Sequence, residues 1–173
     1  MTTPNSLSPL QPQGLRSLRA YQLARQLAHL IYDLTERFPK REFRLIGQMK
    51  EASVSTYANI AEGYGRSTAS DYARFCEVAR GSLAELGSYL EFCRERNLLA
   101  VSDAQPAYEL YNYTWNTLGV LIRSLSQKNA EGTWERALRE ETVPYIPDFG
   151  STRFDSASFP PSQLTNPPQA DLS

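Results

Sequence analysis

SDYARFCEVARGSLAELGSYLEFCRERN, residues 70–97, carries Tyr72, Cys76, Ala79, Leu83, Leu86, Leu90 and Cys93 at steps of 4, 3, 4, 3, 4 and 3. A half-buried strand would alternate with period two, so this spacing predicts a helix with one apolar seam. Upstream, Arg41 or Glu42 to Gly63 reads as a helix whose seam, Leu45, Met49, Ala52, Thr56 and Asn59, is flanked by Ile46, Tyr57 and Ile60. That seam is small and polar. Before it, Ser17 to Phe38 places Ala20, Leu23, Leu27, Leu30 and Leu34 on one face, and Pro39 stops the helix. Downstream, a fourth helix opens at Ser102 with Gln105 as capping-box partner and carries Ala104, Tyr108, Tyr111, Trp115, Leu118, Ile122 and Leu125 to a frayed end near Asn129. Four such helices joined by short connections predict an all-α, antiparallel up-down-up-down four-helix bundle. Leu18, Tyr32, Tyr89, Phe92, Leu110 and Tyr113 lie off the seams, and such apolar surface points to subunit contacts.

The chain has 173 residues, 18 Lys+Arg and 19 Asp+Glu, which suits one domain. Residues 1–14 and 130–173 are rich in proline and read as a disordered arm and an acidic tail around a bundle at 15–129, with WERALREE (134–141) a candidate short fifth helix. A truncation at Asn129 is therefore expected to keep full stability. No apolar run is long enough to span a bilayer, so no membrane partner is expected. The first residues lack a positive cluster followed by an apolar segment, which predicts a cytoplasmic protein. Cys76 and Cys93 sit 17 residues apart on one helix, roughly 25 Å along its axis, and cannot bridge each other.

Catalysis needs a nucleophile or paired acid and base groups, and the single histidine, His29, lies among leucines with no partner in the pattern. There is no Glu-x-x-His or Cys-x-x-Cys pair, so neither a metal nor any other cofactor is expected. Gly63-Tyr64-Gly65 links two helices, unlike a phosphate-binding glycine loop, and reads as a helix stop with Gly63 or Gly65 left-handed. The stretch around Gly63 reads first as a helix end, and Asn59 and Glu62, three apart on one face, leave open a buried polar pair with a basic partner that would fix register.

Ala58-Asn59-Ile60-Ala61-Glu62-Gly63-Tyr64-Gly65-Arg66, preceded by Gln48-Met49-Lys50-Glu51-Ala52-Ser53-Val54-Ser55 and followed by Arg74-Phe75 and Ala79-Arg80-Gly81-Ser82-Leu83-Ala84-Glu85-Leu86, closely resembles a four-helix-bundle family. It is the family named for proteins encoded in intervening sequences of bacterial large-subunit rRNA genes, and the resemblance spans roughly residues 15–127. It implies a non-enzymatic bundle that in related proteins forms a homopentameric ring, with Asn59, Glu62, Gly63, Gly65 and Glu85 as structural motif residues. A related branch, the accessory variability determinant of diversity-generating retroelements, binds nucleic acid and a reverse transcriptase. Those proteins are markedly basic, whereas this chain has a pI near 5.9.

Charge is nevertheless uneven: residues 1–129 hold 15 basic and 12 acidic side chains, and 130–173 hold 3 and 7. Up-down-up-down topology brings Arg16, Arg19, Arg66, Arg74, Arg123 and Lys128 to one end with only Glu62 and Asp71 near. This pole is the predicted site for RNA or single-stranded DNA. The other end, with Arg37, Lys40, Arg41, Arg44, Arg94 and Arg96 against Glu36, Glu42, Glu91, Glu95 and Asp103, is nearly balanced. The expected function is an oligomeric scaffold or adaptor for RNA or a nucleic-acid enzyme such as a reverse transcriptase. The alternative is a pure protein-interaction module without nucleic-acid binding.

Overall fold

In the computed structural model, residues 10–134 are the described part of the chain. They form five α-helices: α1 (Gln13–Ser17), α2 (Arg19–Thr35), α3 (Phe43–Gly65), α4 (Ala69–Glu95) and α5 (Val101–Glu131). Residues 1–9 of the expected arm, the tail beyond Trp134 and residues 135–141 of the candidate helix lie outside these residues, whereas Gln13 and Gly14, expected in the arm, begin α1. α2 packs on α3 and α5, and α4 packs on the same two, so the four long helices close a cycle with α2/α4 and α3/α5 as diagonals. The short connections make neighbours antiparallel, and the fold is the up-down-up-down bundle that the seams predict.

The α4 heptad fills the centre. Tyr72, Cys76, Ala79, Leu83, Leu86, Leu90 and Cys93 are all buried, and burying leucines of this kind contributes about 1.5–3 kcal/mol each. Burial pushes the Cys76 thiol up from 9.0 to about 12, with nearby Glu77 adding to the effect. Cys93, against the Met49 sulfur at 3.6 Å, rises to about 11, again through burial and then Glu42. Both are free thiols. Thr68 caps α4, accepting from the Asp71 amide at 3.1 Å while its hydroxyl donates to the Asp71 carboxylate at 2.8 Å. Its end is a Schellman turn in which Asn97 takes φ 53° and the Leu98 amide reaches back to the Cys93 carbonyl at 2.9 Å.

Other expectations need correction. The first helix is not continuous, because Leu18 is extended and separates α1 from α2. Continuing α2 backwards at 100° per residue would put Leu15 on the solvent side, whereas the break folds it into the core at 1% exposure. In α5 the buried residues are Ala104, Ala107, Leu110, Thr114, Leu118, Ile122 and Leu125, so Tyr108, Tyr111 and Trp115 flank the seam instead of forming it. Thr114 is accommodated because its hydroxyl donates to the Leu110 carbonyl at 2.7 Å. Leu110 is thus core, while Phe43, Val78, Val101 and Val120 join Tyr32 and Phe92 among the exposed apolar side chains. No Ser102–Gln105 box forms: Ala100 is the N-cap, and Gln105 donates to Glu109 at 2.8 Å. α5 itself ends in a Schellman turn at Gly132 (φ 66°), two residues past the expected fraying, and Trp134 packs back on the bundle.

Gly63 and Gly65 do not stop α3 by left-handed geometry, because the helix runs through both. Gly63 serves close approach instead. A Cβ there would lie 2.5 Å from Tyr72 Cδ2 and 2.9 Å from Phe75 Cβ, so only glycine lets α3 and α4 touch at this level.

Candidate nucleic-acid interface

The antiparallel order sets the N-termini of α2 and α4 and the C-termini of α3 and α5 at one end of the bundle, as expected for the six cations. Their roles differ. Arg66 caps the end of α3, and its guanidinium carbon lies 4.4 Å from the centroid of the Phe75 ring. Arg74, the residue immediately before Phe75, stands 4.6 Å from that same centroid. Two like charges are thereby held no farther apart than the sum of these distances. A cation over an exposed ring gains about 0.5–1 kcal/mol, which orders the side chain without neutralising it. Glu62 pairs with Arg66 across one turn of α3, while no carboxylate among the described residues pairs with Arg74.

Helix electrostatics account for some of the other cations. Lys128, in the last turn of α5, complements that helix's negative end. Arg19 is exposed at the first position of α2, where the dipole disfavours a cation, so its charge adds to a helix terminus that is already positive. Arg123 is exposed two turns from the end of α5. Arg16 is held differently from the others: its guanidinium donates to the Gln13 side chain, and its Nε is enclosed with no acceptor among the described residues. Asp71, one of the two expected counter-charges, is engaged by Thr68.

The motif residues divide between packing and register. The alternative of a buried Asn59–Glu62 pair is not realised, because Glu62 is half exposed and turned to Arg66. Asn59 Nδ2 donates to the Ser55 carbonyl at 2.8 Å and to its hydroxyl at 3.1 Å, and Ser55 meets Ser82 of α4 at 2.9 Å. This polar chain, not a salt bridge, pins α3 to α4. Gly65 faces open space. Glu85 accepts from the Tyr89 hydroxyl at 2.9 Å, and that hydrogen bond, with burial and the Glu85 and Glu51 charges, raises the phenol above its usual range.

Sequence reasoning missed Phe75 and Trp134. Phe75 is adjacent to a candidate cation, but its service to Arg66 depends on the α3–α4 corner and has no sequence signal. Trp134 Nε1 donates to the Ser67 carbonyl at 3.1 Å, and its ring meets Tyr72 edge-on at 6.2 Å. The opposite end is balanced: Arg37 pairs with Asp103 at 3.1 Å and Arg41 with Glu42 at 3.5 Å.

Elsewhere, a groove of about 220 Å³ between α4 and α5 is lined by Ala84, Gly87, Ser88, Glu91, Tyr108 and Tyr111, with no base beside its one carboxylate. His29 is exposed on α2. Among the described residues no group of three or more His, Cys, Asp or Glu side chains is placed to hold a metal ion, and no helix is long and apolar enough to cross a membrane. The family model described as 23S rRNA-intervening sequence protein matches residues 16–119. No curated protein matches the chain.

Proposed function

Because the chain belongs to the 23S rRNA-intervening sequence protein family, we propose that it is a non-catalytic, homopentameric helical scaffold whose basic end binds the backbone of single-stranded RNA. The observation that carries this reading is the pair Arg66 and Arg74 on the shared Phe75 ring. Ordering two guanidinium groups on one ring beforehand lowers the entropy lost on binding a phosphate. A ring of subunits would repeat the pair and raise affinity through multiple attachment. Exposed Phe43, Val78 and Phe92 supply apolar surface for subunit contacts.

Fluorescence anisotropy with labelled oligouridine tests the site across a salt series. Binding should weaken with salt, each neutralised phosphate contributing about 0.7 to the slope of log K against log salt. Arg66→Glu with Arg74→Glu should flatten that slope by more than one unit. Light scattering should report about five times the 19.5 kDa chain mass. Absence of RNA binding even at low salt would refute the site, and a monomeric mass would refute the ring.

A second reading, a module that grips a protein client such as a reverse transcriptase, is favoured by one observation. Phe43, Phe92 and Val101 are all exposed and belong to the end opposite the cations. Pull-down of a reverse transcriptase that depends on Phe43 and Phe92, with no RNA affinity, would give this reading the lead.

A further inference from the structure

We propose that the groove between α4 and α5 is a seat for an arginine side chain of a protein partner, whose guanidinium stacks on the Tyr111–Trp115 pair and meets the Glu91 carboxylate. Ala84, Gly87, Ser88 and Glu91 share one face of α4, and Tyr108, Tyr111 and Asn112 share the facing side of α5. Gly87 sets how closely the two meet. A Cβ there would lie 2.6 Å from the Tyr111 hydroxyl oxygen, so only glycine lets the Tyr111 side chain close against α4. The Tyr111 ring lies at 19° to that of Trp115, one turn on, with centroids 6.1 Å apart, and Trp115 remains 37% exposed. The space left, about 220 Å³, suits one long side chain and not a whole helix.

The polar groups of the groove are short of donors. The Tyr108 hydroxyl oxygen is buried with no hydrogen-bond partner among the described residues. Ser88 gives its proton to the Ala84 carbonyl at 3.2 Å, which leaves its lone pairs to accept. Glu91 forms no ion pair with any Lys or Arg among the described residues. A ligand that donates at several points and accepts at none answers this set, and a guanidinium is such a group. Its planar face also matches an aromatic stack. Other rings of the chain already hold a cation: Lys50 lies 4.6 Å from the centroid of Tyr32, Arg44 5.8 Å from that of Phe43, and Arg66 and Arg74 share Phe75. The Tyr111–Trp115 stack holds none among the described residues. Glu91 makes its surroundings favourable to one, since its charge adds to burial in raising the Tyr111 phenol above its ordinary range. The lining has a single charged residue, so nothing in it would meet the α-carboxylate of free arginine or the second charge of a diamine. An arginine whose ends are tied up in peptide bonds leaves no charge unmet.

The test titrates acetyl-arginine methylamide into the full chain at constant ionic strength. The two indole N–H resonances of isotope-labelled tryptophan report binding, and Trp115→Leu assigns them. The Trp115 signal should shift and saturate in roughly the millimolar range expected of one cation on an exposed ring, while Trp134, at the basic end, stays unmoved. The matched lysine amide should bind about three- to tenfold more weakly, and the citrulline amide, which keeps the shape without the charge, should not saturate. Glu91→Gln should weaken the arginine amide about tenfold. Tyr108→Phe should weaken it about threefold while the melting temperature holds or rises, because the orphaned hydroxyl is gone. The proposal is overturned by the lack of a saturable Trp115 shift, by lysine or citrulline amides that match arginine, or by unchanged affinity in either variant. Agmatine binding tenfold more tightly than the capped arginine would also overturn it, since the occupant would then be a free small cation.

Discussion

Replacing Gly63 by alanine should destabilise the protein even though alanine is the better helix former. In an open helix interior the exchange would stabilise by about 0.8–1 kcal/mol. Here the new Cβ would lie 2.5 and 3.1 Å from two Tyr72 ring carbons and 2.9 Å from Phe75 Cβ, against an ordinary carbon contact of about 3.5–4 Å. Neither neighbour can yield easily. Phe75 Cβ moves only with the α4 backbone, and the Tyr72 ring is buried between Tyr64 and Trp134. The helices must separate by about 1 Å, and overpacking of this kind costs about 1–3 kcal/mol. Taking the upper part of that range and subtracting the propensity gain leaves a net loss of about 1–2 kcal/mol, or about 3–8 °C in melting temperature. Gly81 is the internal control, because it lies within α4 and faces open space. Gly81→Ala should raise the melting temperature unless a second subunit covers it. Thermal melts followed by far-ultraviolet circular dichroism measure both. A Gly63→Ala protein as stable as the wild type would refute the close α3–α4 approach, and with it the placement of Phe75 under Arg66.

The buried thiols supply a second expectation. With Cys76 at about 12 and Cys93 at about 11, both should resist a thiol reagent near pH 8 in the native protein and react promptly in denaturant. Their folded values exceed the ordinary 9.0, so their contribution to stability is intact below about pH 9 and declines as pH rises from there towards 12. Urea melts across that range should show the decline, and serine at either position should reduce it. Third, a chain ending at Asn129 should be less stable than one ending at Trp134 by about 1–3 kcal/mol, the combined worth of an aromatic contact and a hydrogen bond. Equal melting temperatures would show that the indole's seat contributes nothing.

The bundle was legible because α4 repeats one step pattern without interruption, and a buried seam of Leu83, Leu86 and Leu90 leaves no other register. α5 was legible as a helix but not in its facing. Weighing side chains by apolar bulk favours Tyr108, Tyr111 and Trp115, while the packed seam uses Ala107 and Thr114, one small and one with its hydroxyl satisfied along the helix. The break at Leu18 was hidden because helix periodicity gives no sign of where an axis bends until the partner of Leu15 is known. Topology alone brought the six cations to one end. The sorting among them, with Arg66 and Arg74 sharing a ring and Arg16 tied to Gln13, depends on side-chain directions that spacing does not carry.

An even number of long helices returns the chain to the end from which it started. α1 enters the bundle, and Trp134 leaves it, at the pole formed by Arg19, Arg66 and Arg74, whereas the far end is made only of the turns after α2 and α4. A tag or tether joined directly to the described residues, just before α1 or just after Trp134, will therefore stand beside the charged face. An unobstructed view of that face requires a handle inserted in a far turn, such as the segment around Asn97 and Ala100. Assays that compare tagged proteins would otherwise measure the tag's shadow.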